Sequence, residues 1–256
     1  MSDPRVAAAA RRFGDVATCY ERGRPDYADD VVDDLVDRTG LCPGARVLDL
    51  GAGTGKLTRR LRARGLGVVA VEPSPGMRTQ LLAAAPGTPV LDGTAEAVPL
   101  GPASVDVVTA AQAFHWFRTR PALDEIARVL RPRGWLALLW NEPPRTGWAA
   151  DMWDLRHRLT GFRPRYPGNG WEFVLAADDR FGPRSVQTYE TTVSTTVEAE
   201  LADTESRSYV TTLDDSARRA VLDAVRDFLA THPETAGRTT LTYVRTSTLH
   251  LSRRTS

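Results

Sequence analysis

Apolar residues occur along the chain in short blocks whose spacing alternates between helical and strand periods. The segment 26–37 (DYADDVVDDLVD) sets Val31, Val32, Leu35 and Val36 on one side and predicts an amphipathic helix. Gly40 and the Pro43-Gly44 pair stop it. Arg46 to Leu50 is a short apolar run that ends in glycines and reads as a buried strand. The pattern then repeats: helix over 57–64, strand over 68–71, helix over 75–85, a short strand at 90–91, strand over 105–111, helix over 118–130, strand over 135–140. Strands and helices that alternate every 20–25 residues predict a parallel sheet covered on both faces.

Beyond residue 141 the pattern changes. Segments 148–159 and 216–230 read as helices, whereas 185–197 and 241–251 alternate and are rich in threonine, as half-exposed antiparallel edge strands are. The Pro- and Gly-rich stretch 162–171 (FRPRYPGNGW) reads as a loop over a pocket rather than a domain boundary, because the late strands need a sheet to join. The expectation is one α/β domain over 1–256, with a helical lead-in over 1–45, a binding core over 46–141, and a lid insertion with edge strands over 142–256.

Composition narrows the function classes. The chain has 256 residues and a formal net charge of +1, with 33 basic and 32 acidic residues interspersed, so it carries no electrostatic footprint for nucleic acid. No apolar run approaches the ~18–20 residues of a membrane span, and the N-terminal stretch lacks a signal-peptide layout, which predicts a soluble cytoplasmic protein. Cys19 and Cys42 form no Cys-x-x-Cys pair and make no metal site, and read as free thiols.

The chemistry concentrates at Asp49-Leu50-Gly51-Ala52-Gly53-Thr54-Gly55-Lys56, where a strand feeds a glycine turn that opens a helix. The glycines permit positive φ and close backbone approach to a ligand, and the helix start offers free N–H groups. A dinucleotide fingerprint requires a third glycine where Lys56 stands, and a phosphate loop requires glycine where Leu50 stands and Ser or Thr where Leu57 stands. Glu72 ends the second strand 21 residues past Gly51, where a carboxylate accepts from a ribose diol. It argues for a nucleoside.

The sequence D-x-G-x-G-x-G resembles the first motif of class I S-adenosylmethionine (SAM)-dependent methyltransferases. The segment 92–100 (DGTAEAVPL) resembles that family's adenine-contacting loop, with Thr94 at its common Asp position. The segment 110–117 (AAQAFHWF), and 120–141 after it, resemble the small-molecule subfamily that includes trans-aconitate methyltransferase-like enzymes; Arg133 stands where that subfamily has glycine. Tyr20, Arg24, Pro25 and Tyr27 match its Y-x-x-x-R-P-x-Y segment, and 206–209 its S-x-S-Y.

The resemblance implies a doubly wound, mostly parallel seven-stranded sheet with helical lid insertions. It implies SAM as cofactor, S-adenosylhomocysteine as product and a small-molecule acceptor, in a monomer or homodimer that binds neither nucleic acid nor membrane. The implied cofactor residues are Tyr20, Arg24, Asp49, Gly51, Ala52, Gly53, Thr54, Gly55, Glu72, Pro73, Met77, Thr94, Ala95, Glu96, Ala111 and Gln112. The implied acceptor side is Tyr20, His115, Trp116 and Tyr209. The segment 145–209 is less constrained by the resemblance, but its aromatic density (Trp148, Trp153, His157, Phe162, Tyr166, Trp171 and Phe173) suits a lid over an apolar or aromatic acceptor and adds Trp148 and Trp171 to that side. His115 is the candidate catalytic residue, as a base or hydrogen-bond donor, with packing under the pocket as its other reading. O-methylation, in secondary metabolism, is the first expectation. The alternative is a relative that holds SAM while catalysing cyclisation or elimination.

Overall fold

The computed structural model describes residues 17–162 and 170–255. Among the described residues the chain opens with helices α1 (Ala17–Gly23) and α2 (Asp29–Thr39). The repeating core is β1 (Arg46–Leu50), α3 (Lys56–Ala63), β2 (Gly67–Val71), α4 (Pro75–Ala84), β3 (Val90–Leu91), β4 (Val105–Ala111), α5 (Thr119–Val129) and β5 (Leu130–Asn141). Then come α6 (Gly147–Thr160), α7 (Trp171–Ala176), β6 (Ser185–Thr195), α8 (Val197–Glu205), α9 (Ser208–Thr211), α10 (Asp215–Thr231) and β7 (Leu241–Arg253).

Among the described residues, seven strands join one sheet in the order β3-β2-β1-β4-β5-β7-β6. The first five pair in parallel, and β7 runs antiparallel to both β5 and β6. β1 lies at the centre with Val47, Leu48 and Leu50 buried, as expected of a strand covered on both faces. One core layer packs Leu48, Leu50, Val108 and Leu138 against α5 through Leu123 and Ile126. The other packs Val47, Val68 and Val107 against Val31 and Leu35 of α2 and Leu57 and Leu61 of α3. A third cluster joins Trp148 and Met152 of α6 to Val225 and Leu229 of α10.

The sequence-predicted elements from 26 to 141 all form, with two adjustments. β5 begins at Leu130 rather than 135, because Leu130 pairs with Val105 across a bulge before the regular register resumes at Val107–Trp135. The 110–117 segment contains a single 3₁₀ turn, Phe114–Trp116, after β4. Three helices were not expected, α7, α8 and α9. Tyr166, which the sequence places in the aromatic lid, lies outside the described residues, as do residues 1–16. Among the described residues no helix is long and apolar enough to cross a membrane.

Candidate active site

The switch point of the sheet lies between β1 and β4, where the chain order reverses, and a cavity of about 350 Å³ opens at the carboxyl ends of these strands. Its floor is the glycine turn. Gly51 N and Ala52 N both donate to Val71 O, at 2.8 and 3.2 Å, which pins the turn to the end of β2. Gly51, Gly53 and Gly55 all have positive φ, of 70°, 58° and 83°. Each glycine is required for a different reason. A Cβ on Gly51 would stand 2.8 Å from Ala113 Cβ, and one on Gly55 2.7 Å from Leu81 Cγ of α4. A Cβ on Gly53 would meet no protein atom within 4 Å; it would project into open space.

Two carboxylates brace this floor. Asp49 is buried beneath the turn, and its two oxygens accept from Thr58 Oγ1 at 2.6 Å and Thr109 Oγ1 at 3.0 Å. Burial pushes its carboxyl up to about 6, against the opposing pull of these hydroxyls. Glu72, at the end of β2, accepts from Gly53 N at 2.9 Å through Oε2 and from Ser74 N at 2.8 Å through Oε1. Burial also raises the Glu72 carboxyl, opposed by those two N–H groups. Each Glu72 oxygen retains a second lone pair for a ligand hydroxyl. Thr54 is buried and lines the cavity, and its Oγ1 has no hydrogen-bond partner.

The wall beyond the floor carries Pro73, Met77, Thr94, Ala95 and Glu96, all lining the cavity. Met77 sits at the start of α4, where Ser74 Oγ caps its N–H. Glu96 Oε1 accepts from Arg118 N at 2.8 Å, which ties this loop to the start of α5. At the end of β4, Gln112 adopts φ +53°, an unusual conformation for a residue with a side chain. Its N–H donates to Leu139 O and its Nε2 to Asn141 O at 2.7 Å, so β5 holds it in place. Ala111 lines the cavity beside it.

His115 follows on the 3₁₀ turn. Its ring lies between Trp116 and Trp140, with centroids 4.9 and 5.3 Å away. Burial lowers its imidazole to about 4, so the ring is neutral at pH 7, and its Nδ1 is buried without a partner. Trp116 and Tyr209 also line the cavity. Tyr209 stacks on Phe162 at 4.6 Å, and its hydroxyl is a further buried polar atom with no partner among the described residues.

Three expected site residues stand elsewhere. Gly55 packs against α4 behind the turn. Trp148 is 2% exposed in the α6–α10 core, with Nε1 donating to Thr242 O at 2.8 Å. Trp171 is 3% exposed beneath the site, edge-on to Phe114 and stacked on Trp140. These two tryptophans close apolar cores instead of facing the cavity, because their helices present them inward while Trp153 of α6 takes the cavity position.

A charged cluster completes the wall; Arg24 was an implied site residue, but the carboxylates around it were missed. Asp203 of α8 is ringed by Arg24, Arg156 and Arg207, at 2.9, 3.0 and 2.7 Å. Burial alone would raise the Asp203 carboxyl, but Arg207, Arg24 and Arg156 outweigh it and hold it well below the usual range. Glu200, one turn earlier, pairs with Arg156 at 3.2 Å and is raised by burial and by Asp203. Arg24 also lies over the Tyr20 ring at 5.3 Å, and both line the cavity. The signal was present: Glu200 and Asp203 stand at i and i+3 on one face of α8, with Arg207 just past its end. Nothing in the sequence distinguishes that charged face from a solvated one.

The chain matches a methyltransferase domain family over residues 48–138. It is 43% identical over 225 residues to an uncharacterized methyltransferase of Mycobacterium tuberculosis, covering 88% of each chain. A solved structure described as a type II methyltransferase from Anaeromyxobacter dehalogenans superposes with a TM-score of 0.67 at 25% identity, covering 91% of this chain and 98% of that one. A Haemonchus contortus phosphoethanolamine N-methyltransferase, solved with S-adenosylhomocysteine, shares the fold at a TM-score of 0.56 and 15% identity, covering 94% of this chain and 57% of that one.

Proposed function

Because this chain belongs to the class I methyltransferase family, we propose that it uses SAM to methylate an oxygen of a small-molecule acceptor held in the cavity described above. The observation that carries this reading is the meeting in one cavity of the Gly53 cradle, the Glu72 carboxylate and the unpartnered Thr54 hydroxyl with His115, Trp116 and Tyr209. The first three features fit an adenosine-bearing ligand: space where a side chain is missing, an acceptor for a diol, and a free hydroxyl. When bound, SAM supplies an electrophilic methyl on a sulfonium, so the protein's task is alignment and proton removal.

The chain's own residues then divide that work. Glu72 receives the ribose hydroxyls, and Met77 and Pro73 pack on the base beside Thr94, Ala95 and Glu96. Gln112, fixed by its bond to Asn141 O, sets the boundary between the two ligands. Neutral His115 offers a ring nitrogen to an acceptor hydroxyl. With its basicity lowered by burial, it orients an acidic hydroxyl or an ionised oxygen better than it deprotonates an alcohol. Trp116, Tyr209 and Phe162 supply aromatic surface for the acceptor body.

The test is to incubate the protein with SAM and a panel of phenols, carboxylic acids and amines, and follow S-adenosylhomocysteine by mass spectrometry. Methylated phenols or acids support the reading. S-adenosylhomocysteine formed only with amines, or product formed without it, overturns the O-methylation reading.

A further inference from the structure

Among the described residues, four arginines line the cavity, Arg24, Arg156, Arg207 and Arg245. Three of them are matched by carboxylates: all three lie within 3.0 Å of Asp203, and Arg156 also reaches Glu200. Arg245 is different. It stands on β7, just beyond the pairing of Ser247 with Asn141 at the end of β5, and is 4% exposed. Its Nη2 donates to Asp26 O at 2.7 Å, and among the described residues it makes no ion pair. Among the described residues its Nε and Nη1 are also buried with no hydrogen-bond partner.

An arginine does not shed its proton in a protein, so the fold holds a full positive charge away from water with three N–H donors unused. Burying an unpaired ion and leaving its donors unmade are both costly. Proteins retain such an arrangement where a ligand supplies the missing partner. Asp26 does not fill that role: it contributes its carbonyl, and its carboxylate is already engaged by Lys56 and Arg59 at 3.2 and 3.0 Å.

We infer that Arg245 is the anion-recognition residue of this cavity and receives a carboxylate carried in by a bound ligand. The inference rests on the methyltransferase reading for the identity of the ligands. Two of them can present that group: the amino-acid end of the donor, and an acidic acceptor. Arg24, by contrast, has its Nε committed to Asp203. An acceptor that arrives ionised also suits a histidine that is a poor base.

The experiment compares the full-length protein with Arg245→Met by calorimetry. The probes are S-adenosylhomocysteine, 5′-methylthioadenosine (which lacks the amino-acid end), and benzoate, succinate and citrate beside benzamide. If the donor is the source, the variant binds S-adenosylhomocysteine at least tenfold more weakly and methylthioadenosine within twofold of wild type. If the acceptor is the source, both nucleosides bind as in wild type, and the acids lose at least tenfold while benzamide does not. Either pattern supports the inference; unchanged affinity for every probe overturns it. Thermal unfolding of the unliganded proteins supplies a second readout. Removing an unpaired buried cation leaves the midpoint unchanged or higher, whereas a lower midpoint with unchanged affinities makes Arg245 a brace for Asp26 and overturns the inference. If wild type binds neither nucleoside, the cofactor reading fails on its own, and the acid-against-amide comparison still reports on Arg245.

Discussion

Replacing Glu72 with Gln tests the floor of the site in two independent ways. The carboxylate receives Gly53 N and Ser74 N, so it joins the glycine turn to the start of α4. Glutamine keeps one carbonyl acceptor and turns an NH2 group against the other N–H. A hydrogen bond to a charged group contributes roughly 1.5–3 kcal/mol, and one of the two is lost. Part of that loss is offset, because the neutral amide no longer bears the desolvation that raises the Glu72 carboxyl. The expected net destabilisation of the unliganded protein is about 1–2 kcal/mol, read from urea unfolding at pH 7. Binding should suffer more. Losing one charged acceptor for the ribose diol costs roughly 1.5–3 kcal/mol, or about 10- to 150-fold in S-adenosylhomocysteine affinity by calorimetry. Stability within 0.5 kcal/mol of wild type, together with affinity within threefold, would refute both halves of the reasoning. A fall in stability with unchanged affinity would reduce Glu72 to a brace for the turn.

Acidification tests the burial of His115. Its folded value of about 4 lies below the unfolded 6.5, so the unfolded chain binds the proton better and the contribution, complete above pH 6.5, is lost as pH falls toward 4. At pH 5 this amounts to about 2 kcal/mol relative to pH 8, so the stability gap between wild type and His115→Asn should shift by that amount in wild type's disfavour; a pH-independent gap contradicts the burial argument. Arg133→Gly should raise stability by about 0.5–1 kcal/mol, since Arg133 is exposed at φ +65° and the strain of a left-handed side-chain residue exceeds the entropy that glycine adds to the unfolded chain. A lower unfolding midpoint for this variant would show that the Arg133 side chain holds the turn.

The residues legible in advance were those whose role is dictated by local backbone demands. The β1 turn announced itself because three glycines in a row of alternating positions serve no strand or helix, and each proved to have positive φ. Glu72 was legible because strand length fixes where β2 ends. The parallel pairing of the first five strands followed from βαβ alternation. What could not be read was contact made across long sequence separations. Helix α8 turns Glu200 and Asp203 inward against Arg156 and Arg24, so its buried face is charged and carries no apolar periodicity. Trp148 and Trp171 were assigned to the cavity from aromatic density alone, which does not say which way a helix faces. Arg245 lies within a threonine-rich strand that reads as half-exposed, and only the pairing of β7 between β5 and β6 brings it over the site.

The meeting of α1 with α8 has a practical consequence for anyone shuffling segments among relatives. A Cβ on Gly23 would lie 2.1 Å from Asp203 N, so the two backbones touch with no room for a side chain. A chimera that imports a foreign 142–256 region onto this N-terminus inherits a mismatch at that seam unless residues 17–27 travel with it. The exchangeable unit is therefore discontinuous: residues 17–27 and 142–256 form a single cassette.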